Sequence, residues 1–193
     1  MIRHITLPQG FVSAGVKAGI KKSGRHDVAI VAGDGMDVSG AVLTTRNQVV
    51  GEPVRYIRGV LPRGYGKVRG IVVSSGNSNV CTGPGGLRDA QTMARLTATG
   101  MGCKPEQVLV ASTGIIGHRL PMPKVRRGIG MALAALGRDQ DAETLQAIMT
   151  TDTRAKSAVV RGRVGGVEIT VAGIAKGSGM IAPSLDRKSV VEG

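Results

Sequence analysis

Three stretches of the sequence carry groups that could stabilise or bind negative charge. In Ser112-Thr113-Gly114-Ile115-Ile116-Gly117, small and hydroxyl residues follow the apolar run 108–111. A sharp turn at the end of a buried strand can aim successive backbone N–H groups at one point, as an oxyanion hole requires. On spacing alone, an ordinary strand-to-loop turn is the better reading. Met149-Thr150-Thr151-Asp152-Thr153 sets three hydroxyls and a carboxylate after an apolar stretch. Such loops cap helices and turn the chain more often than they hold a ligand. Ala175-Lys176-Gly177-Ser178-Gly179-Met180 places one lysine in a Gly/Ser loop, where it could anchor a carboxylate or simply face solvent.

Two further stretches are weaker. Thr82-Gly83-Pro84-Gly85-Gly86 is suited to a helix N-terminus and hence to an anion, but it lacks the Lys-Ser or Lys-Thr of a phosphate loop. Gly128-Ile129-Gly130 falls inside a helical pattern and reads as helix packing. His4, His26 and His118 have no spacing for a metal or a triad, and Cys81 and Cys103 form no metal-type cluster and need no disulfide.

The elements that must position these stretches follow from hydrophobic periodicity. Strands are expected at 28–32, 41–45, 70–74, 107–110, 158–161 and 167–172, the last two joined by a Gly165-Gly166 hairpin turn. Leu87, Ala90, Met93 and Ala94 mark one helix; Val125, Ile129, Ala132, Leu133 and Leu136 mark a second, with Pro123 in its first turn and Gly137 as its stop. A third, shorter helix follows Asp139 and Asp141, with Leu145, Ile148 and Met149 inward. This mixture predicts a layered α/β or α+β domain.

Composition narrows the function classes. With 193 residues, 41% hydrophobic and 20% charged, the chain is globular. Two Tyr, one Phe and no Trp leave the core to aliphatic side chains. The net charge of +13 raises nucleic acid as a partner, but three aromatics cannot build a stacking platform and the basic residues are scattered. No nucleic-acid site is expected. Neither a leader pattern nor an 18-residue apolar run is seen, so no membrane association is expected and the cytoplasm is the default location.

The order of the motifs resembles that of the ornithine acetyltransferase (glutamate N-acetyltransferase) family of arginine biosynthesis. The resemblance runs from Gly10-Phe11, Ala14-Gly15-Val16 and Ala18-Gly19-Ile20-Lys21 through Ser75-Gly76-Asn77-Ser78-Asn79, Thr82-Gly83 and Ser112-Thr113-Gly114. It continues through Met149-Thr150-Thr151-Asp152-Thr153 to the stretch from Ala175-Lys176 to Pro183-Ser184-Leu185. It implies an α/β sandwich like that of the self-cleaving N-terminal-nucleophile enzymes, of which residues 1–185 would be the α chain. It also implies ping-pong acetyl transfer from N-acetylornithine to glutamate on a threonine freed by self-cleavage. Thr113 and Gly114 would form the oxyanion hole, and Thr150 and Lys176 would bind substrate. No cofactor is implied, although acetyl-CoA serves some members as an acetyl donor. The implied partner is a β chain, in an assembly of two α and two β chains.

The sequence departs from the family where the nucleophile should stand. Alanine and threonine are expected after Leu185, and Asp186 and Arg187 occupy those places. Residues 186–193 therefore read as a non-native tail, and the chain is expected to be inactive alone. The rival readings are an amidase or aminopeptidase of the related self-cleaving superfamily and a basic RNA-binding protein.

Overall fold

The computed structural model describes residues 4–177. Its main sheet has four strands in the order β1 (Phe11–Val16), β2 (Val28–Gly33), β5 (Gly70–Asn77) and β6 (Val108–Ile115). β1, β2 and β5 are antiparallel neighbours, whereas β5 and β6 run parallel. The parallel step needs a long crossover, and α2 (Gly83–Met101) supplies it. A small separate pair, β3 (Val38–Ala41) and β4 (Tyr65–Val68), flanks α1 (Glu52–Val60) in sequence.

Strand alternation divides the main sheet into two unequal faces. Ala14, Val28, Ile30, Val72, Val108 and Val110 point to one side and are fully buried. There they meet Ala90, Met93 and Ala94 of α2 and Val125, Ile129 and Ala132 of α3 (Met122–Ala134). The inward positions of α2 recur at i, i+3, i+4, i+7 and i+8, the period of a helix with one buried stripe. Its alanines let the helix sit close to an aliphatic sheet, and the core admits one aromatic, Tyr56 of α1, whose hydroxyl donates to Pro105 O at 2.6 Å. Gly102, in the left-handed conformation, ends α2 with its N–H on the carbonyls of Ala98 and Thr99.

Among the described residues, the opposite face is covered at one end only. There α4 (Asp141–Ile148) lies across β1 and β2, with Thr144 Oγ1 donating to Ser13 Oγ at 3.0 Å. Val31, Ile71, Val73, Ala111 and Thr113 on this face remain half-buried. After α4 the chain forms a two-stranded hairpin, β7 (Lys156–Val164) and β8 (Val167–Ala175). Every residue of β7 is exposed, and no other strand among the described residues pairs with either outer edge of the hairpin.

Several expected boundaries are corrected. The strand expected at 41–45 runs instead over Val38–Ala41, because its partner β4 is short and the pair ends at the Gly64 turn. Gln107 belongs to a 3₁₀ turn at Pro105–Gln107, and the following strand continues to Ile115. Thr113 and Gly114 are thus the last part of a strand, not a turn beyond it. The second helix closes at Ala134, so Leu136 lies outside it, and Gly137 pairs with Ser13 on the sheet edge (N···O 2.9 and 3.1 Å) instead of capping the helix. The expected hairpin through Gly165-Gly166 and the short helix after Asp139 are both present. The proposed tail 186–193, the junction after Leu185 and Ser178 onward lie outside the described residues.

Candidate functional site

The parallel strands β5 and β6 end side by side, with Ser74 opposite Ser112, Ser75 opposite Thr113 and Gly76 opposite Gly114. The register then slips, so that Asn77 pairs with both Thr113 and Ile115. Such a bulge re-aims the residues around it. Gly114 sits at φ +133°, and a Cβ there would fall on the backbone of Gly76 and Asn77. Only glycine fits that position.

Alternation sends Ser112 and Thr113 to opposite sides. Ser112 Oγ accepts from the N–H of Asn79 at 2.8 Å. Asn79 is wholly buried; its amide donates to Gly86 O at 2.8 Å and accepts from Thr82 Oγ1 at 2.6 Å. The chain just after β5 is thereby bracketed to the first turn of α2. The Gly-rich start of that helix is filled by protein: a Cβ on Gly85 would strike the guanidinium of Arg119, which is paired with Asp89 at 2.7 Å.

Thr113 opens into a cavity of about 310 Å³ lined by Val73, Ala111, Ser112, Thr113, Ile148 and Lys176. Two candidates 63 positions apart in sequence, Thr113 and Lys176, therefore share one space. Gly114 adjoins it on the strand end. Thr150 is not on its lining but follows Ile148 closely, and its N–H donates to Asp152 Oδ2 at 3.1 Å. The Lys176 ammonium donates to Gly177 O at 2.7 Å. A larger groove of about 610 Å³, between α1 and α2, contains none of the candidates.

The wall that carries Ile148 is held from beneath. Ser75 Oγ donates to Ala147 O in the last turn of α4. The Lys21 ammonium donates to Gln146 O at 3.2 Å and to His26 O at 2.5 Å, placing a cation where the helix carbonyls are unsatisfied. Burial lowers the Lys21 pKa to about 8, only partly offset by the nearby Asp27 carboxylate. Asp27, fully buried, accepts from the N–H groups of Ala18 and Ile20 at 2.6 Å and of Lys21 at 3.1 Å.

Asp152, in the loop after α4, likewise gathers backbone donors. Its side chain is fully inaccessible and accepts from Lys156 Nζ at 2.7 Å, from Thr150 N–H and from Gly177 N–H. Burial pushes this carboxyl up, but these three donors outweigh it and hold it well below the usual carboxylate range. Sequence reasoning placed Lys21 and Asp152 in matching motifs without a site role and did not single out Asp27. The Asp two residues after Thr150 was the available signal, because Asx side chains take nearby backbone N–H groups. Among the described residues, no cluster of ligating side chains could hold a metal.

The chain matches the ArgJ family over residues 12–187. It belongs to that family. It is similar to the arginine biosynthesis bifunctional protein ArgJ of Thermobifida fusca, with 44% identity over 181 residues, 94% of this chain and 46% of the relative. The ArgJ of Symbiobacterium thermophilum is 46% identical over 183 residues, again 94% of this chain and 45% of the relative. This chain thus spans about half the length of the curated relatives it matches. Among solved structures, an ornithine acetyltransferase from Mycobacterium tuberculosis complexed with ornithine superposes with a TM-score of 0.87 at 39% identity, covering 95% of this chain and 96% of that one. ArgJ from Bacillus halodurans gives 0.85 at 34% identity, covering 94% and 93%. The layered α/β architecture is therefore the ArgJ fold, as the resemblance implied.

Proposed function

We propose that this chain is the charge-stabilising and substrate-holding half of an acetyltransferase of arginine biosynthesis, moving acetyl from N-acetylornithine to glutamate. The observation that carries this reading is the cavity at the ends of β5 and β6, where Thr113 and Lys176 face a common space. Backbone and hydroxyl donors of Thr113 and Gly114 would stabilise the oxyanion of a tetrahedral intermediate. Thr150 and the Lys176 ammonium would hold the amino-acid portion, a cation being suited to its carboxylate. No cofactor enters this reading; acetyl-CoA would enter only as an acetyl donor.

The nucleophile is assigned outside this sequence, since Arg187 stands at the position the family gives to threonine. A β chain carrying that threonine is the proposed partner, in an assembly of two α and two β chains. The half-buried apolar residues Val31, Ile71, Val73 and Ala111 support a further layer on this face. None of the helices among the described residues is long and apolar enough to cross a membrane, and a cytoplasmic location fits the proposed reaction.

The test is a titration of the 193-residue chain with N-acetylornithine, followed by amide NMR. Shifts concentrated at Thr113, Gly114, Thr150 and Lys176 are the expected result. Saturable shifts confined to the α1–α2 groove would overturn the assignment of the site. In an acetyl-transfer assay the chain alone should form no N-acetylglutamate; turnover would show that the nucleophile lies within it. Acetate release without an acceptor would favour the hydrolase reading.

A further inference from the structure

We propose that Asp152 is the positioning residue of this site, its carboxylate fixing the separation between Thr150 and Lys176. The inference rests on the reading of those two residues as the substrate-binding pair. They come from different elements: Thr150 follows α4, whereas Lys176 follows β8 at the far end of the hairpin. The hairpin makes few contacts outside itself, so its own packing does not determine where Lys176 comes to rest. One carboxylate supplies that link. Asp152 Oδ2 takes the N–H of Thr150 at 3.1 Å, while Oδ1 takes the N–H of Gly177, directly after Lys176.

Three further observations show that this contact is built in. The Asp152 side chain has no solvent exposure although the loop around it is open. Its charge is answered by Lys156 Nζ at 2.7 Å, and Lys156 is the register partner of Ala175 at the foot of the hairpin. A Cβ on Gly177 would come within 2.7 Å of Asp152 Oδ1, so a glycine allows this backbone to approach the carboxylate. Among the described residues, the charged group paired with Asp152 is Lys156 on β7, and at longer range the Lys21 ammonium feels the Asp152 charge. Both are cationic and favour the ionised carboxylate that the two N–H groups require.

The experiment follows the amide protons of Thr150 and Gly177 in the 193-residue chain as pH falls, with and without N-acetylornithine. In the parent chain both should move together, in one transition below the ordinary carboxylate range. Asp152→Asn should abolish that shared transition and weaken N-acetylornithine binding by at least about 10-fold, because charge-assisted hydrogen bonds are lost. Gly177→Ala keeps the carboxylate but crowds it, and should weaken binding in the same direction. It covers the case in which Asp152→Asn does not fold. Lys156→Met should raise the pH of the transition while leaving it shared by both amides. Separate transitions, or parent-like binding by either the Asp152 or the Gly177 variant, would overturn the proposal. If the amides titrate together but the parent chain does not bind N-acetylornithine, the substrate reading fails and the clamp stands.

Discussion

Ser75, near the end of β5, donates its hydroxyl to the carbonyl of Ala147 in α4, 72 residues away. Both residues are buried, and the bond ties the helix end to the strand end at the edge of the candidate cavity. Among the described residues, Ser75→Ala leaves that carbonyl with only a long 3.5 Å contact from Lys21. A buried acceptor that loses its donor costs about 1–3 kcal/mol. Urea unfolding should show a loss in that range; an unchanged midpoint would show that the bond contributes nothing.

Gly15 should tolerate no side chain. Its Cα faces the backbone of Glu143 and Thr144, and a Cβ would overlap both. Gly15→Ala must push α4 off the sheet or bend β1, a form of overpacking that costs about 1–3 kcal/mol or more. A melting curve of Gly15→Ala matching the parent would contradict this packing.

Acid should destabilise the chain partly through Asp141. Its buried carboxylate accepts from Thr6 Oγ1 at 2.7 Å, Thr6 N–H at 2.8 Å and His4 N–H at 3.2 Å. Burial raises its pKa, but these bonds and the His4 ring more than compensate, leaving it below the ordinary value. The folded pKa is therefore lower than the unfolded one, about 3.9. The stabilisation is present above that unfolded value and lost as pH falls through the folded value. Unfolding free energies measured from pH 7 to pH 3 should fall more steeply for the parent chain than for Asp141→Asn. Parallel curves would refute the linkage.

The hairpin should drive self-association of the isolated chain. Val160 and Val171 face each other in register and are 67% and 62% exposed, on a two-stranded sheet whose edges no other described strand pairs. Such edges invite pairing with another chain. Sedimentation at rising concentration should reveal association, and Val160→Lys with Val171→Lys should suppress it without shifting the melting of the main sheet. A parent chain that stays monomeric throughout would rule this out.

Legibility in the sequence tracked how self-contained each signal was. α2 was readable because Leu87, Ala90, Met93 and Ala94 mark a buried stripe, and the hairpin because Gly165-Gly166 supplies two positive φ angles. α1 was missed, since only Glu52, Pro53, Tyr56 and Ile57 are buried in nine residues. β1 went unread because Ser13 and Gly15 interrupt its apolar pattern, being small to admit α4 rather than polar to face water. Within the site, the motifs containing Thr113, Gly114, Thr150 and Lys176 were identifiable by resemblance. Lys21 and Asp152 lie within matching motifs and Asp27 does not, but the supporting role of all three was hidden because each bonds mainly to backbone atoms, which leave no trace in side-chain spacing. His4 was assigned nothing for the same reason: its place beside Asp141 depends on a contact 137 residues away in sequence.

Because Lys156 and Ala175 close the open end of the hairpin, unzipping from that end breaks into the Asp152 contact before it reaches the Gly165-Gly166 turn. The Gly177 amide should then exchange its hydrogen with deuterium at the rate of hairpin opening, far faster than Val72 or Val110 in the buried sheet. Occupancy of the productive Lys176 geometry would be governed by local opening of a peripheral ribbon, and a partner that pairs with either hairpin edge would slow that clock.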